Sequence, residues 1–177
     1  MNIFVTDPAP VKCAQDLPDK HVVKMPLETC QMLSIICSNK WGHGYGELHK
    51  KDGTPYSTDK GAFRNHPCTI WANETLAHTW WLLAHGFALC EEYTHRYGKV
   101  HSCEKTILEA GHLIPFTMDR PSYFVRAMPD EFKYNQDIDT FTAYQNYIAS
   151  KSWVSSNYLR DPSRQPVWVV STPDTTG

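Results

Sequence analysis

The stretch Asp19-Lys20-His21-Val22-Val23-Lys24-Met25-Pro26-Leu27-Glu28, followed by the apolar Cys30, Leu33, Ile36 and Cys37, decides the fold class of this chain. Residues three, four and seven apart share one face of an α-helix, so His21, Lys24 and Glu28 form a stripe over two turns. Val22, Val23, Leu27 and the later apolar residues cover much of the remaining surface. The spacing predicts a helix from Asp19, as its N-cap, to about Asn39. Pro26 lies too deep to be a harmless first-turn proline, and its ring clashes with the Val22 carbonyl, so a kink is expected shortly before Glu28. The alternative is a helix that starts at Pro26, a favoured first position, although Met25 would be a poor cap.

Ionisable groups on so apolar a helix are partly desolvated, which raises a carboxylic acid's pKa and lowers an ammonium's unless they pair. General acids and bases are prepared in this way. The plainer reading is an i,i+4 pair of Lys24 and Glu28 on a solvated edge, with His21 incidental.

A chain of 177 residues suits one domain with a substantial core. A net charge of −2 and a pI near 6.5 argue against a generally basic surface, so any grip on nucleic acid has to come from a local patch. The six Trp and nine Tyr suit either a large core or stacking on bases. Six cysteines without a CxxC pair or metal-finger spacing read as buried, reduced thiols, and the expected location is the cytoplasm. No basic n-region opens the chain and no apolar run reaches membrane-spanning length, so neither secretion nor a membrane anchor is expected.

Working outward, Ile3-Phe4-Val5 reads as a short strand and Asp7-Pro8-Ala9-Pro10 as a turn leading into the first helix. Residues 41 to 64 are glycine-rich and aperiodic, a length of loop that is usually functional or mobile. Asn65-His66-Pro67 opens a long apolar helix ending at Gly98, Ser102 caps a shorter one stopping at Gly111, and a last helix runs from about Asp137 to Lys151. Pro115, Pro121 and Pro129 leave 112 to 136 irregular, with room for one helical turn. Val167-Trp168-Val169-Val170 reads as one extended strand in a tail loosely attached from about 155. The sum is a mainly α, compact single-domain helical fold over residues 1 to 177, with long irregular connections that leave room for a cleft.

Three constellations offer chemistry. The first joins the stripe to the α-amine of Met1, or of Asn2 if Met1 is removed; an α-amine has an ordinary pKa of about 7.7–8.0 and is a usable nucleophile near neutrality. The second is a pair of Glu-x-x-His elements, Glu92 to His95 and Glu109 to His112, as in carboxylate-bridged di-iron bundles. The third is Asn65-His66-Pro67-Cys68, where a helix N-terminus favours an anion such as phosphate, or where Asn65 or His66 simply caps.

Asp19, His21, Val22-Val23 and Glu28, with a proline in the same helix, resemble the phage pyrimidine-dimer DNA glycosylases. Their pattern is Asp-x-His, two apolar residues, then Glu seven positions after the His. His66 leading into Pro67-Cys68-Thr69-Ile70-Trp71, and the cluster Tyr144, Tyr147 and Lys151, extend the similarity over most of the first 150 residues. The resemblance implies a helical enzyme that needs no cofactor and acts as a monomer on double-stranded DNA containing a lesion or modified base. It implies a DNA glycosylase with associated AP-lyase activity, in which the amine of Met1 or Asn2 attacks the deoxyribose C1′ and Glu28, with His21, serves the charged intermediate. Lys24, Arg64, Asn65, His66, Arg126, Tyr144 and Lys151 are the expected DNA contacts. The family's glutamate is surrounded by arginines, whereas here Leu27 and Gln31 flank it and the third residue is Ile3, which leaves the base excised open. A DNA base-modifying (hypermodification) enzyme on the same scaffold and a di-iron oxidase are the alternative functions.

Overall fold

A computed structural model describes residues 1–170. Among them seven α-helices follow one another: α1 Pro10–Asp16, α2 Asp19–Cys37, α3 Pro67–Glu74, α4 Leu76–Tyr97, α5 Glu104–Leu113, α6 Asp130–Lys133 and α7 Thr140–Ala149. Two short 3₁₀ turns, Val154–Ser156 and Pro162–Arg164, complete the path. The architecture is mainly α, and none of these helices is long and apolar enough to cross a membrane.

Helix α4 is the hub, packing against α1, α2, α3 and α5. Its apolar residues meet Leu33 and Ile36 of α2 and Ile107 of α5 in one core. Two glycines set the close approaches. A methyl group at Gly86 would lie 2.9 Å from Thr29 Cγ2 of α2, and one at Gly111 would lie 3.1 Å from Phe87 Cζ. Gly111 therefore serves packing rather than termination, and α5 continues past it to Leu113.

Helix α2 follows the predicted course from Asp19 and keeps Pro26 inside. Its N-cap, however, is Pro18. The Asp19 carboxylate is committed elsewhere: Oδ1 accepts from Arg96 Nη1 at 3.2 Å and Oδ2 from the backbone N–H groups of Leu159 and Arg160. The single long helix expected after Pro67 is broken at Thr75, which is extended and whose hydroxyl accepts the His78 N–H at 3.1 Å to cap α4. α4 does end at Gly98.

Neither expected strand is present. Ile3, Phe4 and Val5 are buried without sheet partners, and Val167–Val170 lies in a turn; the β pairing among the described residues is one isolated bridge between His49 and Pro55. The tail is also not loose over residues 155–170. Asp19 N–H donates to the Asn157 carbonyl at 2.7 Å, the Tyr158 hydroxyl donates to Asp16 O, and Arg164 reaches the Glu92 carboxylate at 2.8 Å.

A buried arginine ties these parts together. Arg96, near the end of α4, donates from Nε to Glu92 at 2.8 Å, from Nη1 to Leu17 O and Asp19, and from Nη2 to Gln15 O. Removing one member of a buried ionic network leaves charges without partners at a cost of about 3–5 kcal/mol. Arg96→Met is therefore expected to lower stability by about that amount, read as a fall in the urea midpoint; an unchanged midpoint would remove Arg96 from this role.

Acid sensitivity follows from His85, whose Nδ1–H faces Pro10 O at 3.2 Å while Nε2 lies 3.9 Å from the Cys13 thiol. Burial pushes His85 down to about 4, below the value of about 6.5 for an unfolded histidine. The unfolded chain then binds the extra proton between those values, so stability is full above pH 6.5 and declines as pH falls toward 4. The slope is about 1 kcal/mol per pH unit, and His85→Gln should flatten it in urea melts at pH 7 and pH 5.

Candidate active site

The first four residues fold back on themselves and dock onto α2 and α3. The Asn2 side chain shapes this turn: its Oδ1 accepts the Ile3 N–H at 2.7 Å and the Phe4 N–H at 2.9 Å, while Nδ2 donates to Ala127 O at 2.6 Å. Phe4 adopts φ +44°, a left-handed backbone that non-glycine residues seldom take. That conformation is held from both sides, because the Phe4 carbonyl receives the Cys13 thiol at 3.2 Å and its ring stacks on His21 with centroids 4.2 Å apart.

The turn delivers the chain terminus to Glu28. The Met1 α-amine lies 3.1 Å from Glu28 Oε1, and the backbone nitrogen of Asn2 donates to the same oxygen at 2.9 Å. Glu28 is only 5% exposed. The arrangement tolerates either state of the terminus: with Met1 present its amine faces the carboxylate, and with Met1 removed the α-nitrogen of Asn2 is already beside it.

Helix α3 supplies the floor. Its N-cap His66 accepts the Cys68 N–H through Nδ1 at 3.1 Å, so the capping reading of Asn65-His66-Pro67-Cys68 holds for His66. Thr69 Oγ1 lies 3.6 Å from Met1 Sδ, and the Ile3 N–H also points at the Cys68 thiol. Burial first, and then the positive charge of the terminal amine, lower the His66 pKa, with Glu28 opposing. His66 is thus a neutral imidazole with Nδ1 occupied and Nε2 protonated, close enough to sense both members of the pair.

His21 is buried next to this turn. Beyond its stack on Phe4 it meets Trp153 edge-on, and its buried Nδ1 has no hydrogen-bond partner. Burial, reinforced by Lys151, Lys20 and Lys24, pushes it down to about 4. It is neutral near pH 7 and supports Phe4. Lys24 does not join His21 and Glu28 in the interior; it is exposed, on a cleft it shares with Val23, Leu27 and His101.

The expected DNA contacts divide. Asn65 is exposed. Arg64 lies over the Trp41 ring at 4.3 Å and donates to the carbonyls of Lys60 and Gly61. Lys151 sits above the Tyr147 ring at 4.4 Å. Tyr144 has no exposed surface: its hydroxyl donates to Val125 O and accepts the Ala127 N–H, so it braces from behind the loop that Asn2 grips. Arg126 is likewise a staple, its guanidinium engaged with Thr140 Oγ1, Asn135 O and Ile138 O. Tyr144 therefore has no surface to offer DNA, whereas Arg126 stays partly exposed beside its internal bonds.

The Glu-x-x-His pairs do not assemble a metal site. Glu92 lies between Arg96 and Arg164, His95 pairs with Asp161 at 2.7 Å, and Glu109 holds His49 at 2.9 Å. Among the described residues no group of three His, Cys, Asp or Glu converges as a metal would need. The carboxylates meant to bridge two irons are engaged by other side chains of the fold.

Some contributors gave little signal in the sequence. Thr69 and Cys68 stood in the block after His66 but only the fold shows that they touch the terminus. The organising role of the Asn2 side chain and the strained Phe4 had none beyond the general habit of Asn to form such turns.

Comparison with known proteins yields no match among curated proteins and none among solved structures. The family model for pyrimidine dimer DNA glycosylase matches residues 1–105, a span containing Met1, Asn2, His21, Glu28 and His66. On that match over more than half its length, this chain belongs to the pyrimidine dimer DNA glycosylase family.

Proposed function

We propose that the chain excises a damaged or modified pyrimidine from double-stranded DNA through its N-terminal amine and Glu28, and then cleaves the strand as an AP lyase. The observation that carries this reading is the 3.1 Å contact between the α-amine and a carboxylate that is almost fully buried. An amine that gives its proton to Glu28 presents a lone pair to an electrophilic carbon, here C1′ of the deoxyribose. The C1′–N bond forms as the C1′–base bond breaks and the base leaves with a proton; the C1′–O4′ bond then breaks, O4′ taking the proton that Glu28 received, and the ring-opened imine carries a positive charge for the Glu28 carboxylate to stabilise. Loss of a proton from C2′ then expels the 3′ phosphate. Reaching C1′ requires the nucleotide to leave the stack.

His66 supports the amine as a neutral neighbour, since a cation there would compete for Glu28. Asn2 acts as a positioning residue through its grip on Ile3, Phe4 and Ala127. Lys24, Asn65, Arg64 and Lys151 remain the proposed DNA contacts. Ile3, where the family pattern has a basic residue, is 2% exposed and turned into the core. Phosphate contacts near the amine are therefore few, and recognition leans on the lesion itself rather than on backbone charge.

Borohydride reduction in the presence of ultraviolet-irradiated or abasic duplex DNA should trap a covalent adduct, and acetylating the α-amine or extending the chain before Met1 should abolish it. The absence of an adduct with either DNA would overturn the imine mechanism. Glu28→Gln should reduce single-turnover excision by about a hundredfold or more while leaving DNA affinity near that of the parent. Undiminished turnover in that variant would exclude Glu28 from the chemistry. Asn2→Ala should lower kcat more than it changes KM, because the terminus loses its orientation rather than its substrate.

A further inference from the structure

Four of the six cysteines are chemically quiet. Cys13, Cys37, Cys68 and Cys90 are buried, and that burial pushes each thiol up to about 12. The other two meet. Cys30 of α2 lies against Cys103, the N-cap of α5: the Cys30 thiol donates to the Cys103 carbonyl oxygen at 3.8 Å, and the two side chains sit close enough to influence each other's titration.

The two are not equivalent. Cys30 is fully buried. Cys103 is 8% exposed and lines two neighbouring clefts of about 520 and 500 Å³ that share Leu27 and Ser102 as walls. Lys50 and Lys51 line one cleft and Lys24 the other. His101 fixes the local backbone: its Nε2 faces Val23 O at 2.8 Å and carries the proton, while Nδ1 accepts the Cys103 N–H at 3.0 Å.

The environment separates the roles that dithiol chemistry needs. Interaction with Cys30, followed by the contacts of His101 and Ser102, lowers the Cys103 thiol against the opposing effect of burial. Cys30 is held well above the ordinary thiol range by its hydrogen bond to Cys103 and by burial, so it keeps its proton. A cysteine at the mouth of a cleft with a fully buried cysteine behind it is the arrangement of an attacking and a resolving thiol.

We propose that Cys103 and Cys30 form a peroxide-reactive dithiol, in which a hydroperoxide oxidises Cys103 and Cys30 resolves it to a disulfide. The Cys103 thiolate attacks the terminal oxygen of the hydroperoxide; the O–O bond breaks, sulfur is oxidised by two electrons to the sulfenic acid, and the alkoxide or hydroxide leaves and takes a proton from water. The Cys30 sulfur then attacks the sulfenic sulfur. The S–O bond breaks, and the departing hydroxide combines with the Cys30 proton as water. One hydroperoxide is reduced to alcohol or water, and two thiols become one disulfide joining α2 to the start of α5.

The test uses the full chain, reduced and then exposed to one equivalent of hydrogen peroxide. Remaining thiols are alkylated and mapped by tandem mass spectrometry at successive times. Cys30 and Cys103 are expected to disappear together, linked to each other, at least about tenfold faster than the other four cysteines. In Cys30→Ser the oxidised Cys103 should persist as a sulfenic acid captured by dimedone, and in Cys103→Ser the fast phase should vanish. Uniform oxidation of all six thiols, or a fast phase that omits Cys103, would overturn the proposal. The mapping of the unsubstituted chain decides the matter even if a variant fails to fold.

Discussion

A carboxylate buried in the middle of an apolar helix has to be neutralised, and at Glu28 the neutralising charge is the start of the chain itself. The lysines of α2 do not serve it: Lys24 faces outward, and Lys20 lies over the Trp153 ring at 3.7 Å. The chain must therefore turn back within four residues, which explains why a non-glycine residue accepts a positive φ at Phe4 and why the Asn2 side chain is spent on its neighbours' N–H groups. The strain and the unpartnered His21 nitrogen are local costs of about 1–3 kcal/mol each. They are tolerated because they hold an amine against a carboxylate in a partly dry site.

The far end of α2 from this pair is fixed by a second buried ionic network, centred on Arg96. Asp19 belongs to both halves of the story: it opens the helix that carries Glu28, and its carboxylate receives Arg96 and the N–H groups of Leu159 and Arg160. The tail thus closes over the start of α2. A helix clamped at its beginning and packed along α4 through the gap at Gly86 gives Glu28 a fixed position toward which the terminus can fold. The Asp-x-His…Glu spacing visible in the sequence consequently spreads over three settings, with Asp19 held by Arg96, His21 stacked on Phe4 and Glu28 facing the amine.

Helix α2 was legible because its apolar residues recur with period 3.6 over five turns, and α4 because Gly98 supplies an unambiguous stop. The division at Thr75 was not, since the apolar pattern runs through it and only a hydroxyl on the His78 N–H marks the new cap. Gly111 misled for the opposite reason: glycine near a helix end usually terminates, but here it makes space for Phe87. Helix α1 was hidden behind its prolines. For Arg126 and Tyr144 residue type alone cannot separate a surface contact from a staple, because both jobs use the same hydrogen-bonding groups. The amine–carboxylate pair lay between these extremes, with both members readable and only their adjacency dependent on the fold.

Helix α2 finally carries the two proposed reactive groups within one turn. Cys30 follows Glu28 by two residues, about 200° around the helix axis, so it faces α5 while Glu28 faces the terminus and α3. The two sites share a rigid element without sharing a cavity, and a bond from Cys30 to Cys103 would pin α2 to α5 on the side away from the amine. Because α2 is already clamped at Asp19 and wedged against α4, such a bond adds a constraint where the structure has little freedom to yield. Any displacement it demands falls on the segment between the clamp and the thiol, which contains Pro26, the one residue there whose helix hydrogen bond is missing by covalent structure. Glu28 lies inside that segment, so the position of the carboxylate relative to the amine is the quantity that a change at Cys30 would reach first.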